Sequence, residues 1–121
     1  MARADSLGQF EQLVLTAIVV LGDNAYGITI HERVRKLSAP KPASLGAVYV
    51  TLDRLEEKGL VTSWLSQPTT ERGGRAKRHY RVEPAGERAL EESALAARRV
   101  WDALTEAADG RMGQRLRKAW K

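Results

Sequence analysis

The apolar positions of this chain keep a helical period, give it up for a short alternation, and then take it up again. Phe10, Leu13, Val14, Ala17 and Leu21 predict a first helix that begins near Leu7, is capped by Asp5 and Ser6, and stops at Gly22. Its second half, "LVLTAIVVL" (Leu13 to Leu21), is apolar on nearly every face, so it must be covered on both sides. After a turn at Asp23-Asn24, Tyr26, Ile30, Val34 and Leu37 recur at i, i+4, i+8 and i+11, the stripe of a second short helix, which Pro40 and Pro42 end. Ser44 then caps a third helix with inner face Leu45, Val48, Leu52 and Leu55 and with Tyr49 on the flank, ending at Gly59. Its opposite face is read as Gly46, Ala47, Val50, Thr51, Arg54 and Lys58.

Beyond Gly59 the period becomes two. "LVTSWL" is rich in β-branched and aromatic residues, Pro68 to Arg75 reads as loop, and "KRHYRV" sets His79 and Arg81 against Tyr80 and Val82, which predicts a small β-hairpin with a long basic tip. Pro84 suits the first turn of a closing helix, in which Leu90, Ala94, Ala97, Trp101, Leu104 and Ala108 follow at spacings of 4, 3, 4, 3 and 4. Such a seam requires another helix, and it is assigned to dimerisation. The fold class is therefore mainly α with a small β-hairpin. Residues 1–83 form a winged helix-turn-helix, and residues 84–121 form a C-terminal dimerisation helix with a basic tail.

Composition narrows the function. The chain has 121 residues and a formal net charge of +5, which suits one domain with a modest core and a polyanionic partner. It contains no cysteine, so it has neither a disulfide framework nor a thiolate metal site. The run Leu13 to Leu21 is far short of a membrane span and too deep for a signal peptide, and the expected location is cytoplasmic, without membrane insertion. "ERGGRAKR" lacks the spacing of a phosphate-binding P-loop, and His31 and His79 are isolated from each other and from any acidic cluster. No nucleophile, base and orienting acid converge, so no enzyme, metal or cofactor is expected.

What this order of elements can do is bind double-stranded DNA. Gly46 and Ala47 add no bulk at the start of the third helix, Ser44 and Thr51 offer hydroxyls, Arg54 offers a guanidinium, and Tyr49 reaches toward phosphate from the flank, with Val50 beside them. At the hairpin tip Arg72, Arg75, Lys77 and Arg78 supply charge, while Gly73 and Gly74 let the backbone approach the sugar-phosphate wall or a narrow minor groove closely. The bland alternatives are a solvated basic loop and helical ion pairs of Arg54 and Lys58 with Glu57 or Asp53. Met112, Leu116 and Trp120 beside Arg111, Arg115, Arg117 and Lys118 make a short basic amphipathic tail, open to three uses: dimer contact, phosphate contact, or docking of another protein or an anionic membrane.

At these residues the sequence resembles the PadR family of bacterial transcriptional regulators, over about Leu7 to Leu104. The resemblance rests on "YGITI" at Tyr26 to Ile30, "GAVYVTLDRLEEKGLV" at Gly46 to Val61, "RGGRAKRHYRV" at Arg72 to Val82 and "AGERAL" at Ala85 to Leu90. It implies a homodimeric winged-helix repressor of the short kind, with one C-terminal helix that packs on its partner's N-terminal helix, so that Leu13 and Ala17 of the first helix join the dimer interface. It also implies that a small hydrophobic or aromatic effector binds some members, sandwiched by a tryptophan that would align near Ala97, one turn before Trp101. Two positions depart from the family pattern. Val50 stands where the family usually has proline, and Glu83 where it usually has threonine. The function expected is a sequence-specific DNA-binding regulator that represses from a pseudo-palindromic operator; the alternative is a winged-helix adaptor that docks acidic proteins.

Overall fold

A computed structural model describes residues 7–67, 76–107, 114–115 and 118–119. The elements follow in the order α1 (Gln9–Leu21), a short 3-10 turn (Gly22–Asn24), α2 (Gly27–Ser38), α3 (Leu45–Glu57), β1 (Val61–Leu65), β2 (Arg78–Val82) and α4 (Pro84–Ala107). This is the mainly helical winged-helix architecture, with the two strands forming an antiparallel hairpin in which Val61 faces Val82, Ser63 faces Tyr80 and Trp64 faces His79. The chain divides into two compact units, Met1–Leu90 and Glu91–Lys121.

In the first unit the three helices close over Val14, Leu15, Ile18, Ile30, Val34, Val48, Leu52 and Leu55, with Val61 and Tyr80 completing the core from the hairpin. The first helix starts differently from the sequence reading. Gly8 is its N-cap, and Glu11 reaches back so that its Oε1 accepts from the Gly8 N–H at 2.9 Å; Asp5 and Ser6 lie outside the described residues. Gly22 ends the helix at a φ of 58°, a left-handed value that glycine adopts without strain. α2 begins where the Thr29 hydroxyl accepts from the Tyr26 N–H at 3.0 Å, and Ser44 caps α3 by accepting from the Ala47 N–H at 3.0 Å. His31 fastens the chain between α2 and α3: its Nε2–H donates to the carbonyl of Ala43 at 2.8 Å.

Three expectations of burial are corrected. Thr51, read as outward, is buried, because it sits with Val48, Leu52 and Leu55 at i, i+3, i+4 and i+7 on the inner stripe; its hydroxyl suggested the surface, but its position decides. Ala17, assigned to dimerisation, is wholly enclosed in the chain's own core, and the apolar face that α1 leaves open is that of Val19 and Val20. Leu37, in the last turn of α2, is exposed rather than inward.

The start of α4 belongs to the first unit. Gly86 lies against the Leu60 carbonyl and Val82 so closely that a Cβ would collide with both, and Leu90 packs against the core. In the second unit α4 continues to Ala107, with Ala94, Leu95, Ala97, Val100 and Leu104 exposed and Trp101 half-buried. Ala108 lies outside the described residues.

Candidate nucleic-acid interface

α3 presents two unlike halves. In its first turns Gly46, Ala47, Tyr49 and Val50 face outward, and a Cβ placed on Gly46 would meet nothing. Tyr49 is fixed by α2: its ring and hydroxyl lie on Gly27, in space that any side chain at position 27 would take. In the later turns Asp53, Arg54, Glu56 and Glu57 are exposed and line an open depression together with Val50. Arg54 makes no ion pair among the described residues. Lys58 does not pair with Asp53 or Glu57, as helical spacing allowed. It donates instead to Glu11 Oε2 of α1 at 2.9 Å. Burial of Glu11 raises its pKa, but the hydrogen bonds from Lys58 and from the Gly8 N–H, with the charges of Lys58 and Arg54, outweigh that and hold the carboxyl below its ordinary value.

The hairpin lies beside this helix and is joined to it. Arg78 Nη1 donates to Ser63 Oγ at 3.0 Å, and that hydroxyl donates to Glu56 Oε2 at 2.8 Å, a relay from β2 through β1 to α3. Burial raises the pKa of Tyr80, and the nearby negative charge of Asp53 adds to the effect. On the other face of the hairpin, Trp64 and His79 stack with ring centres 5.8 Å apart and planes at 20°, and Tyr26 continues the row 5.5 Å from His79. Two cations lie on these rings: Lys77 Nζ is 4.3 Å from the centre of Tyr26, and the Arg81 guanidinium is 5.3 Å from that of Trp64.

The structure leaves Ser44, Gly46, Ala47, Tyr49, Val50 and Arg54 exposed on α3, and Lys77 and Arg78 exposed at the loop end of the hairpin, where β2 begins. It takes Thr51 out of that surface. Arg72, Gly73, Gly74 and Arg75 lie outside the described residues. Sequence reasoning missed the acidic patch of Asp53, Glu56 and Glu57, which the helical period could have placed outward. It also missed the bridge between Tyr26 and His79, reinforced by the Tyr80 N–H donating to the Ala25 carbonyl at 2.9 Å. A strand one residue long leaves no alternation to detect.

A three-helix core, an antiparallel hairpin after the third helix and a small-residue face on that helix define a winged-helix protein. Residues 17–92 match the Transcriptional regulator PadR-like family, and the chain belongs to it. Among solved structures, it is similar to a PadR family transcription regulator from Clostridium difficile, at 24% identity and a TM-score of 0.68 over 82% of this chain and 97% of that one. A PadR-like transcriptional regulator from Bacillus cereus gives 21% identity and a TM-score of 0.65 over 84% and 92%. The ORC1 protein of Aeropyrum pernix, solved in complex with DNA, gives 28% and 0.58 over 76% of this chain but 26% of that protein. A comparison with curated proteins finds no match. Among the described residues, no helix is long and apolar enough to cross a membrane.

Proposed function

We propose that this transcriptional regulator is a non-enzymatic, dimeric repressor that inserts α3 into the major groove of a pseudo-palindromic operator and sets its hairpin on the flanking backbone. The observation that carries the reading is the slim, outward start of α3, on a helix whose neighbouring hairpin bears the exposed cations Lys77 and Arg78. Small side chains let a helix enter the groove, and cations beside it neutralise phosphate. The Aeropyrum pernix ORC1 protein, about a quarter of which matches this fold, was solved in complex with DNA, which is consistent with the same use. Dimerisation is supported by the exposed Leu95, Val100 and Leu104 on α4 and by Val19 and Val20 on α1, apolar surface that a second subunit would cover. With two-fold symmetry, half-sites lie about one helical turn, ~10 bp, apart.

The test is a gel shift with DNA from around the chain's own gene, with light scattering at micromolar concentration and transcription in vitro from the bound promoter. A retarded band, a dimer and reduced transcript support the proposal. A stable monomer removes the two-site geometry, and a bound promoter that fires more strongly makes the protein an activator. The adaptor reading has one observation in its favour, the exposed Trp64 and Leu65 on the hairpin. It predicts capture of acidic proteins without a sequence-dependent shift. Should a small aromatic effector bind, Trp101 is the ring that α4 offers it.

A further inference from the structure

Within the first two turns of α3, the structure removes the polar groups that could read a base. Thr51 is buried, at 5% exposure. Ser44 turns its oxygen back to the Ala47 N–H as the helix cap, and Tyr49 is laid on Gly27. Tyr49 keeps 43% exposure but holds its hydroxyl over Gly27, and the other outward groups are the methyls of Ala47 and Val50, with Val50 at 58% exposure. Three and four residues later come Asp53 and Arg54, so the apolar spot is bounded by charge.

Methyl groups cannot exchange hydrogen bonds with base edges. In the major groove of unmodified DNA the one methyl group on any base edge is the C5 methyl of thymine. Cytosine and the purines offer polar edges there, and pressing an exposed valine onto them leaves a donor or acceptor stripped of water without a partner. We propose that Val50 is a specificity-determining residue that recognises a thymine, through its 5-methyl group, at a fixed position of each half-site. This rests on the DNA-binding reading of α3 and adds the identity of a base.

The experiment begins with selection of duplexes from a random-sequence pool by the purified full-length protein. In the selected duplex each thymine is then replaced singly by deoxyuridine, which removes the methyl and nothing else. One position per half-site should weaken binding by about four-fold, the ratio equivalent to the ~0.8 kcal/mol of one buried methyl-sized group. For Val50→Ala the ratio of thymine to uracil affinity at that position should fall toward one. Val50 is exposed, so the variant should keep its melting temperature, and an unchanged melt shows that it has folded.

A selected duplex that tolerates uracil at every position overturns the inference but keeps DNA binding. So does a uracil penalty of the same size in Val50→Ala. If cytosine methylation at C5 tightens binding while uracil has no effect, the methyl recognised is not thymine's, and the assignment fails. If no sequence is enriched at all, the DNA-binding reading fails first.

Discussion

α3 and the hairpin stand side by side, yet different forces hold them. α3 is set into the core by Val48, Leu52 and Leu55, all fully buried, and is fixed at both ends, by the Ser44 cap and by Lys58 on Glu11. The hairpin gives the core Val61 and Tyr80, with Val82 packed against it, and the rest of its hold lies at the surface, in the hydrogen bonds from Arg78 through Ser63 to Glu56 and in the row Tyr26, His79 and Trp64 under Lys77 and Arg81. The difference matches the two tasks proposed. A base edge is read over distances of about 3 Å, so the reading helix has to be rigid. Phosphate is met by charge at longer range, and a long cationic side chain on a loosely held hairpin suffices.

The sharpest way to break this comparison is to remove one anchor from each region. Leu52→Ala should cost ~2–5 kcal/mol by opening a cavity beneath α3. Trp64→Ala, on the solvent face, should cost about 1 kcal/mol, the scale of one ring pair. Denaturant melts of both variants decide it: equal losses would mean that the hairpin is as deeply fixed as the helix.

Next in size is Gly27→Ala. The added methyl meets the ring and hydroxyl of Tyr49, so either the ring moves or α2 does, at ~1–3 kcal/mol. Tyr49→Ala in the same chain should recover most of that loss, a non-additivity expected of touching residues. Additive losses would show that Tyr49 is not what fills the space over Gly27.

Much of this is legible in the sequence, and the failures share causes. The order of elements, the inner stripe of Val48, Leu52 and Leu55, and the hairpin strands all follow from period and punctuation, because burial of a repeating face is what makes those elements form. Thr51 is misplaced when side-chain polarity is weighed above helical position. Ala17 is misplaced because α1 is apolar on several faces, and periodicity alone cannot tell which face meets the chain's own core and which stays open, as Val19 and Val20 do. The partnership of Lys58 with Glu11 spans the whole helical unit, and no local spacing signals an interaction of that length. The seam of α4 can be read as a pattern, but its occupant belongs to another molecule or segment, and that is why it enters the function only as a proposal.

The ion pair between α1 and α3 gives a smaller effect with a defined pH dependence. Because Lys58 keeps a third of its side chain in water, Glu11→Gln should cost about 1 kcal/mol at neutral pH, the low end for a charge-assisted hydrogen bond. Glu11 has a folded-state pKa below its unfolded one, so its contribution is present above the ordinary carboxylate range and is lost as pH falls through the lowered folded value. Melts of wild type and Glu11→Gln should therefore differ at neutral pH and converge in acid. A gap that persists at low pH would assign the loss to packing rather than charge.

The smallest effect on the fold should come from Lys77, and there the two regions separate most cleanly. Its ammonium sits 4.3 Å from the centre of the Tyr26 ring while the side chain is exposed, so Lys77→Ala should cost only ~0.5–1 kcal/mol of stability. On DNA the same change should weaken operator and random sequence together and reduce the salt slope by ~1 for each phosphate that a subunit no longer neutralises, since charge carries no sequence information. Arg54→Ala, on the helix, should instead lower the preference for the operator over random DNA, by ~1–3 kcal/mol if the guanidinium reads a base. Filter binding across a salt series for the two variants is the measurement. If Lys77→Ala leaves the slope unchanged, the ring beneath it is holding the cation for the hairpin's own sake. The charge that DNA meets would then have to come from elsewhere on the surface. Should Arg54→Ala weaken all sequences alike, α3 would share the hairpin's task, and the division between a rigid reader and a loose charge carrier would fall at that residue.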